Sequence, residues 1–463
     1  MGNEYGSGTG GLFGAVFGRG EAAAGTGDAA WLAALLDVEA ALSRAAARAG
    51  LVETEAAEAV TRAVQSETFD ADELGRQALA AGNPVVPLVR ALVGALPPEA
   101  THAVHNGATS QDILDTAAML IVKRALPPLL ADLDAVCDAA AELADAHRAT
   151  LMSGRTLLQQ ALPTTFGLTA ANWLTGADRV RAKVARMGER LPVQYGGAAG
   201  TMAAVGADGP RLAALLAEEL GLAEPLLPWH TIRLNIVEPA AALAETGSVL
   251  GKIARDVTLL AQGEIAEVHE GGGPDRGGSS AMPQKRNPVA SVSILACTRR
   301  VPGLMATLYA SGEQEFQRAA GAWHAEWEPL SDLVRLTGSA AAWARDLFDG
   351  MHVDTDRMRD NLNATGGLPL AERLTALLAP ELGRLAAHDL VRRAGARVTA
   401  DGTPLREAIW EDAEARDALR RGGKGLADVA ETLDPAEYLG ATEVLIDRAL
   451  AAHKHRDVNY DPD

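Results

Sequence analysis

Apolar residues recur at spacings of three and four along most of the chain, the period of a helix buried on one face. Between Asp28 and Leu96, the residues Trp31, Leu32, Leu35, Leu36, Val38 and Leu42 form such a stripe. Asp28 is a natural N-cap for it, and Pro97-Pro98 closes the segment. Beyond these prolines the stripes lengthen. Leu126, Leu129, Leu130, Leu133, Val136, Ala140 and Leu143 share one face, while Asp132, Asp134, Asp138, Glu142 and Asp145 lie mostly off it. Pro127-Pro128 predicts a start or a kink in that helix. Leu250, Ile253, Val257 and Leu260 mark a second run from Pro239 to His269, roughly 46 Å long at 1.5 Å per residue. A third begins after Pro288, passes Leu295, Leu304 and Leu308, and bends near Pro302. The fourth spans Trp327 to Phe348. Four long stripes in one segment predict an up-down bundle whose helices are shared between subunits of an oligomer. After Met351 the helices shorten again, broken at Thr365-Gly366-Gly367, Asp401-Gly402-Thr403-Pro404 and Gly422-Gly423-Lys424-Gly425. The expected fold is all-α in three helical domains: residues 1–98, 99–350 and 351–463.

Composition strengthens this picture and removes several function classes. The 463 residues are 48% hydrophobic but only 4% aromatic, so the chain can bury large cores yet has little from which to build strands. A net charge of −19 argues against nucleic acid or an anionic membrane as partner, since either needs an extended basic surface. Lys285, Arg286, Arg299 and Arg300 are therefore a local positive island, suited to a small anion. The two cysteines, Cys137 and Cys297, sit among apolar neighbours and read as buried and reduced. The first twenty residues lack a basic stretch before their short apolar run, and no segment reaches 18 apolar residues. Neither a signal peptide nor a membrane span is expected, which places the protein in the cytoplasm.

The stretch with the most chemistry is Ser279-Ser280-Ala281-Met282-Pro283-Gln284-Lys285-Arg286-Asn287-Pro288, reached through the glycine-rich residues Gly271 to Gly278. It puts small hydroxyls, two cations and an amide donor on one hinged loop, a set suited to a carboxylate beside an acidic C–H. A phosphate-cradling loop would end in Lys-Ser/Thr and follow a strand, whereas Ile253 to Val268 has helical spacing. A plain linker leaves Met-Pro-Gln-Lys-Arg-Asn-Pro unexplained.

This stretch resembles the signature loop, here near residues 271–288, of the fumarase/aspartase superfamily. The resemblance implies that Ser279, as a serinate, removes the proton next to a carboxylate. It further implies that Lys285 and Asn287 bind that carboxylate as it becomes an aci-carboxylate dianion. Two further stretches extend the likeness. His105-Asn106-Gly107-Ala108-Thr109-Ser110-Gln111-Asp112 matches a segment that lines the substrate site in the superfamily, pointing to Thr109 and Ser110. The same residues also read as a helix cap, with Thr109 or Ser110 capping and Asp112 favouring the dipole; N–H groups at such an end bind carboxylates. Gly154 to Gly167 resembles a second conserved region and points to Thr156 and Gln159. The superfamily layout implies a central domain that tetramerises into a twenty-helix core with shared active sites, a small anionic di- or tricarboxylate substrate, and no cofactor.

Two departures narrow the substrate. Adenylosuccinate and argininosuccinate lyases carry a histidine after the Arg-Thr, at or near the acid that protonates the leaving nitrogen, and this chain has Leu157. A missing general acid costs about 10²- to 10⁴-fold, so the leaving group should need no proton, as a carboxylate, nitrite or ammonium does not. The blocks Trp323-His324-Ala325-Glu326-Trp327-Glu328, Pro228-Trp229-His230-Thr231, Gly196 to Thr201 and Leu433 to Gly440 resemble the 3-carboxy-cis,cis-muconate cycloisomerase branch. That branch adds a carboxylate across a conjugated double bond, which suits Leu157. It implies His230, Arg318 and His324 as substrate contacts or their supports, and Arg233 as a substrate contact. After the Trp-His-Thr, however, the branch carries an arginine two residues beyond the first, where Arg233-Leu234-Asn235 has asparagine. Loss of a cation there admits a smaller substituted succinate, such as nitrosuccinate, while adenylosuccinate is the less favoured substrate. A catalytically silent helical scaffold is the alternative outside enzymes. His105, His230 and His324 do not have metal-ligand spacing, so no metal is expected.

Overall fold

A computed structural model describes residues 12–271, 276–278, 282 and 285–455. Helices carry the fold, and the described chain divides into two compact units. One unit contains residues up to 135, 179–254 and 290–346, and the other contains 136–178, 255–289 and the residues from 347 onward.

In the first unit the helix Asp28–Ala49 starts one residue after Gly27 and ends at Gly50, whose φ of 79° is the left-handed value that favours glycine. Its buried stripe of Leu35, Val38, Ala41, Leu42 and Ala45 packs on the helices Thr54–Ser66 and Gly209–Leu220. The same core takes in Leu88, Leu92, Ile113, Tyr195 and Leu212. In the second unit a core of Leu374, Leu378, Leu390, Val391, Leu405, Ile409 and Leu419 joins the short helices after residue 370.

The long helices are where the stripes predict them, with altered ends. The first runs unbroken from Ser110 to Ala146 through Pro127 and Pro128, so the prolines do not start it. Its beginning is set instead at Thr109, whose N–H donates to Asp112 Oδ2 at 2.9 Å, and its apolar face is buried on both sides of the prolines. The second covers Leu234–Leu260 and stops short of His269. There Ala266, with φ 51°, reverses the chain and residues 268–270 enter a strand. The third is two helices, Val289–Thr298 and Val301–Ala310, with Pro302 in the first turn of the latter, where its missing N–H costs nothing. The fourth is Trp327–Asp349.

Among the described residues, four short strands were not foreseen from composition, and all belong to the second unit. β1 (Leu151–Thr156) and β2 (Gln159–Thr165) form an antiparallel hairpin; β3 (Val268–Glu270) pairs antiparallel with β4 (Met351–Val353). Both pairs lie beside stretches that the sequence singles out as chemical.

Candidate active site

In the first unit, four separated stretches converge on the start of the helix Ser110–Ala146. Asp112, 1% exposed, accepts the N–H of Thr109 and of Gly197, each at 2.9 Å, on Oδ2. Its Oδ1 lies 2.7 Å from His230 Nε2. Gly196 is needed at this turn because a Cβ there would sit 2.7 Å from Pro228 Cβ and 2.8 Å from His230 Cε1. Gln111 accepts from Arg318 Nη1 at 2.8 Å, and Arg318 Nη2 also donates to the carbonyls of Gly197 and Ala198 at 3.2 and 2.9 Å. Thus Thr109, Ser110, His230 and Arg318 are brought into one neighbourhood, held by Gln111 and Asp112.

Arg233 is placed differently from its sequence-based expectation as a substrate contact. Its side chain is 1% exposed, and its guanidinium is forked between Asp115 and Glu326, each 2.7 Å away at closest approach. Nε donates to both oxygens of Glu326, Nη2 to Asp115 and Glu326, and Nη1 to Asp115 and the carbonyls of Trp229 and His230. All five N–H groups have acceptors, which leaves none for a ligand. Burial opposes the charge on Arg233, but the Asp115 and Glu326 carboxylates outweigh it and hold the guanidinium ionised. For Glu326, burial wins over the pull of Arg233 and pushes the carboxyl above its ordinary value. Trp323 Nε1 completes the cluster by donating to Asp115 at 3.0 Å.

His324 lies elsewhere on this unit. It is exposed, its Nε2 is 3.0 Å from the Gly82 carbonyl, and its ring packs against Trp323 and Trp327. His105 is anchored through its Nδ1, 2.7 Å from the buried Glu39. Burial lowers the affinity of His105 for a proton, but Glu39 and Asp112 outweigh burial and raise it above the usual histidine value. Asp115, Glu326 and Gln111 were missed as functional supports. The spacing of Asp112 and Asp115 on one helical face is the signal that could have shown them.

The second unit holds the other stretches. Thr156 and Gln159 pair across the tip of the β1/β2 hairpin and are exposed, and between them lie Leu157 and Leu158. Both leucines have positive φ, 51° and 63°, the geometry of a tight two-residue turn that Asn-Gly ordinarily supplies. Left-handed backbone costs a branched L-residue roughly 1–2 kcal/mol, so this tip is strained while exposing 96% of Leu157.

In the signature loop, Gly278 bridges Arg286 and the Asn287 N–H donates to the Gly277 carbonyl at 2.8 Å. A Cβ at Gly277, whose φ is 72°, would come within 2.4 Å of Asn287 O, so glycine is required at this neck. The neck fixes the backbone that carries Asn287 just before the helix Val289–Thr298. Lys285 is exposed. Ser279 lies outside the described residues. Among the described residues, no three His, Cys, Asp or Glu side chains are grouped to hold a metal ion, and no helix is long and apolar enough to cross a membrane.

Comparison with known proteins decides the family. The model described as "Lyase" matches residues 23–303, more than half of the chain, and that described as "Adenylosuccinate lyase C-terminus" matches 367–449. The chain belongs to the lyase family of the fumarase/aspartase superfamily. Members of this superfamily act on carboxylate substrates and are typically oligomeric. The chain is similar to the nitrosuccinate lyase of Streptomyces davaonensis, with 46% identity over 92% of this chain and 91% of the relative. It is also similar to the 3-carboxy-cis,cis-muconate cycloisomerase of Pseudomonas aeruginosa, with 44% identity over 96% of both. The crystal structure of the 3-carboxy-cis,cis-muconate lactonizing enzyme from Pseudomonas putida superposes with a TM-score of 0.89 at 40% identity, covering 96% of this chain and 99% of that one.

Proposed function

We propose that this lyase catalyses a cofactor-free anti addition or elimination at the carbon β to a carboxylate, with a leaving group that departs without a proton. The observation that carries the reading is Leu157 at the hairpin tip, between Thr156 and Gln159, at the position that the resemblance gives to the histidine of adenylosuccinate and argininosuccinate lyases. Ser279 is the base on the α-carbon, and Lys285 and Asn287 stabilise the aci-carboxylate, the kind of electrostatic contribution that is commonly the largest in catalysis. Thr109, Ser110, Thr156 and Gln159 hold substrate carboxylates, and His230, Arg318 and His324 contact the substrate or support those that do. Arg233 acts through the residues it organises.

The leading substrate is 3-carboxy-cis,cis-muconate. One of its carboxylates adds across the conjugated double bond to close a lactone, and Ser279 returns a proton to the carbon next to a second carboxylate. In reverse this is a β-elimination with a carboxylate leaving. A second reading, elimination of nitrite from nitrosuccinate to give fumarate, is favoured by Asn235 and by the engagement of every Arg233 donor, both of which leave less positive charge for a third carboxylate.

The test offers purified protein 3-carboxy-cis,cis-muconate, nitrosuccinate and adenylosuccinate, followed by diene absorbance, nitrite release and fumarate absorbance. Fastest turnover of adenylosuccinate would refute the argument from Leu157. Tight fumarate binding with no turnover of any substrate would favour the silent scaffold.

We further propose three functional domains at 1–98, 99–350 and 351–463, a cytoplasmic location, and a homotetramer with shared sites. In the first unit, exposed Leu226, Ile232, Leu234 and Val292 support assembly. Light scattering on the eluting protein tests the tetramer.

A further inference from the structure

Glu267 is a fully buried carboxylate that the proposed chemistry does not use. Arg155 donates to it through both arms of its guanidinium, Nη2 to Oε1 at 2.6 Å and Nη1 to Oε2 at 2.9 Å. Asn361 Nδ2 donates to the same Oε1 at 2.8 Å. The backbone of Glu267 is also tied: its N–H donates to Leu260 O at 2.9 Å, and its carbonyl accepts from Asp354 N at 3.0 Å. Three elements meet on this one side chain. They are β1, which ends one residue after Arg155 at Thr156; the helix Thr355–Asn363, which carries Asn361; and the segment of Glu267 itself, which passes directly into β3 and on to Gly271 and the signature loop.

The hairpin needs such an anchor. A pair of strands alone is marginally stable in water, and this one also carries the strained Leu157-Leu158 turn. Its register slips by one residue, because Ser153 pairs with Pro163 while Arg155 pairs with Gln160, leaving Ala161 and Leu162 opposite Gly154. Such a bulge bends the ladder and re-aims the side chains beside it. Gly154 permits it, since a Cβ there would lie 2.7 Å from Leu162 O. Arg155 follows the bulge directly, and its fork meets Glu267.

We propose that Glu267 is a positioning residue: through Arg155 it holds the hairpin tip that carries Thr156 and Gln159 in place relative to β3, before substrate arrives. The role of that tip in carboxylate binding rests on the function proposed above; the anchoring itself does not.

The test is hydrogen exchange and steady-state kinetics on the full-length oligomer of Glu267→Gln. Glutamine keeps the shape and accepts from Asn361, but it takes only half of the guanidinium fork. Amides of residues 151–165 should exchange about tenfold faster or more, with the long helices unchanged, because a charged two-armed contact is weakened. On whichever substrate is turned over, KM should rise about tenfold while kcat changes far less, as for an interaction made equally in ground and transition states. A merely structural role would speed exchange throughout and lower kcat with the fraction folded. Unchanged protection of the hairpin in Glu267→Gln overturns the proposal. If that variant does not fold, the double variant Arg155→Met with Glu267→Met leaves no unpaired charge and should fold. Its hairpin should show the same loosening, and normal protection there overturns the proposal equally. Should no substrate be turned over by the unsubstituted protein, the functional reading fails while the exchange result still decides this one.

Discussion

Replacing Arg233 by methionine keeps most of the side-chain length and removes the guanidinium that faces Asp115 and Glu326. Both carboxylates then stay where they are, with side chains 2% and 3% exposed. Removing one partner of a buried ion pair typically costs about 3–5 kcal/mol, because the other charge is left in a medium that solvates it poorly. The two acids are not equally dependent on Arg233. Asp115 retains donors in Gln111, Gln194 and Trp323, whereas among the described residues Glu326 keeps Gln314. The loss should therefore fall mainly on Glu326. At about 2–4 °C per kcal/mol for a folding unit of 150–250 residues, the melting temperature should drop by roughly 6–20 °C near neutral pH.

The pH dependence gives this prediction a sign. Burial already raises the Glu326 carboxyl above its ordinary value of 4.5, and Arg233 restrains that rise. Without the arginine the folded value climbs further, so between the unfolded and folded values the folded chain binds more protons than the unfolded chain. Stability of the variant is then greatest below the unfolded value and is lost as pH rises through the folded one. Melting followed by circular dichroism at about pH 5 and about pH 8 should show the deficit against the unsubstituted protein narrowing on acidification. Adding Glu326→Gln to Arg233→Met should recover part of the loss. A variant within about 1 kcal/mol of the original at neutral pH, or a deficit that widens in acid, would refute the reading of Arg233 as the counter-ion of this cluster.

Other consequences are equally open to measurement. Ser279→Ala should lower turnover by at least about 10²-fold with helicity and assembly unchanged by circular dichroism and light scattering; near-normal activity would remove Ser279 as the base. Combining Leu157→Asn with Leu158→Gly supplies the residues a two-residue turn prefers, and hairpin amides should exchange roughly tenfold more slowly as the strain is relieved. His105→Asn should cost stability in a pH-dependent way. The raised proton affinity of His105 stabilises the fold fully below the unfolded value near 6.5 and ceases to do so as pH rises through the folded value, so urea midpoints should differ more in mild acid than in base. Asn235→Arg should shift the ratio of kcat/KM values for 3-carboxy-cis,cis-muconate over nitrosuccinate upward by about tenfold, the effect of roughly 1.4 kcal/mol; no shift would detach Asn235 from substrate charge.

Helices were readable wherever burial imposes a 3.6-residue period. Leu129, Leu133 and Val136 are buried on one face, as their spacing predicts; at the start of their helix the Thr109 N–H donates to Asp112, which the sequence assigns only to the dipole while offering Thr109 or Ser110 as the cap. Of the start or kink that Pro127 and Pro128 predict, the start does not occur, because a local penalty of about 3 kcal/mol per interior proline is smaller than the burial gained by continuing a long helix. The hairpin was illegible for a different reason. Gly154-Arg155-Thr156-Leu157-Leu158-Gln159-Gln160 has no alternation of buried and exposed types, and the contact that holds it is with Glu267, which lies 112 residues from Arg155. Arg233 shows the same limit on the site. Its sequence context marks it as important, but only the fold reveals that Asp115, 118 residues away, and Glu326, 93 residues away, take all that it can donate.

Asp115, Glu326 and Asn235 bear on one property, the positive charge left over for substrate. Arg233 is neutralised within the first unit by two carboxylates, so its presence in the sequence adds nothing to the charge a ligand meets. Asn235 removes another cation from the position where the cycloisomerase branch carries one. Leu157 adds a restriction of another kind, because it withdraws proton donation instead of charge. A substrate that fits all three bears few carboxylates and releases a weak base, and of the two substrates considered, nitrosuccinate meets this description with two carboxylates against three. The muconate reading stays in front on the similarity of whole sequence blocks, such as Trp323 to Glu328, yet within that block the structure assigns Trp323 and Glu326 to the Arg233 cluster and His324 to the Gly82 carbonyl. Residues that maintain a cluster can persist when the substrate changes, so blocks of this kind bear more strongly on shared architecture than on shared substrate. Under the proposed function, discrimination between the two reactions therefore falls on Asn235 and on Leu157 at the hairpin tip.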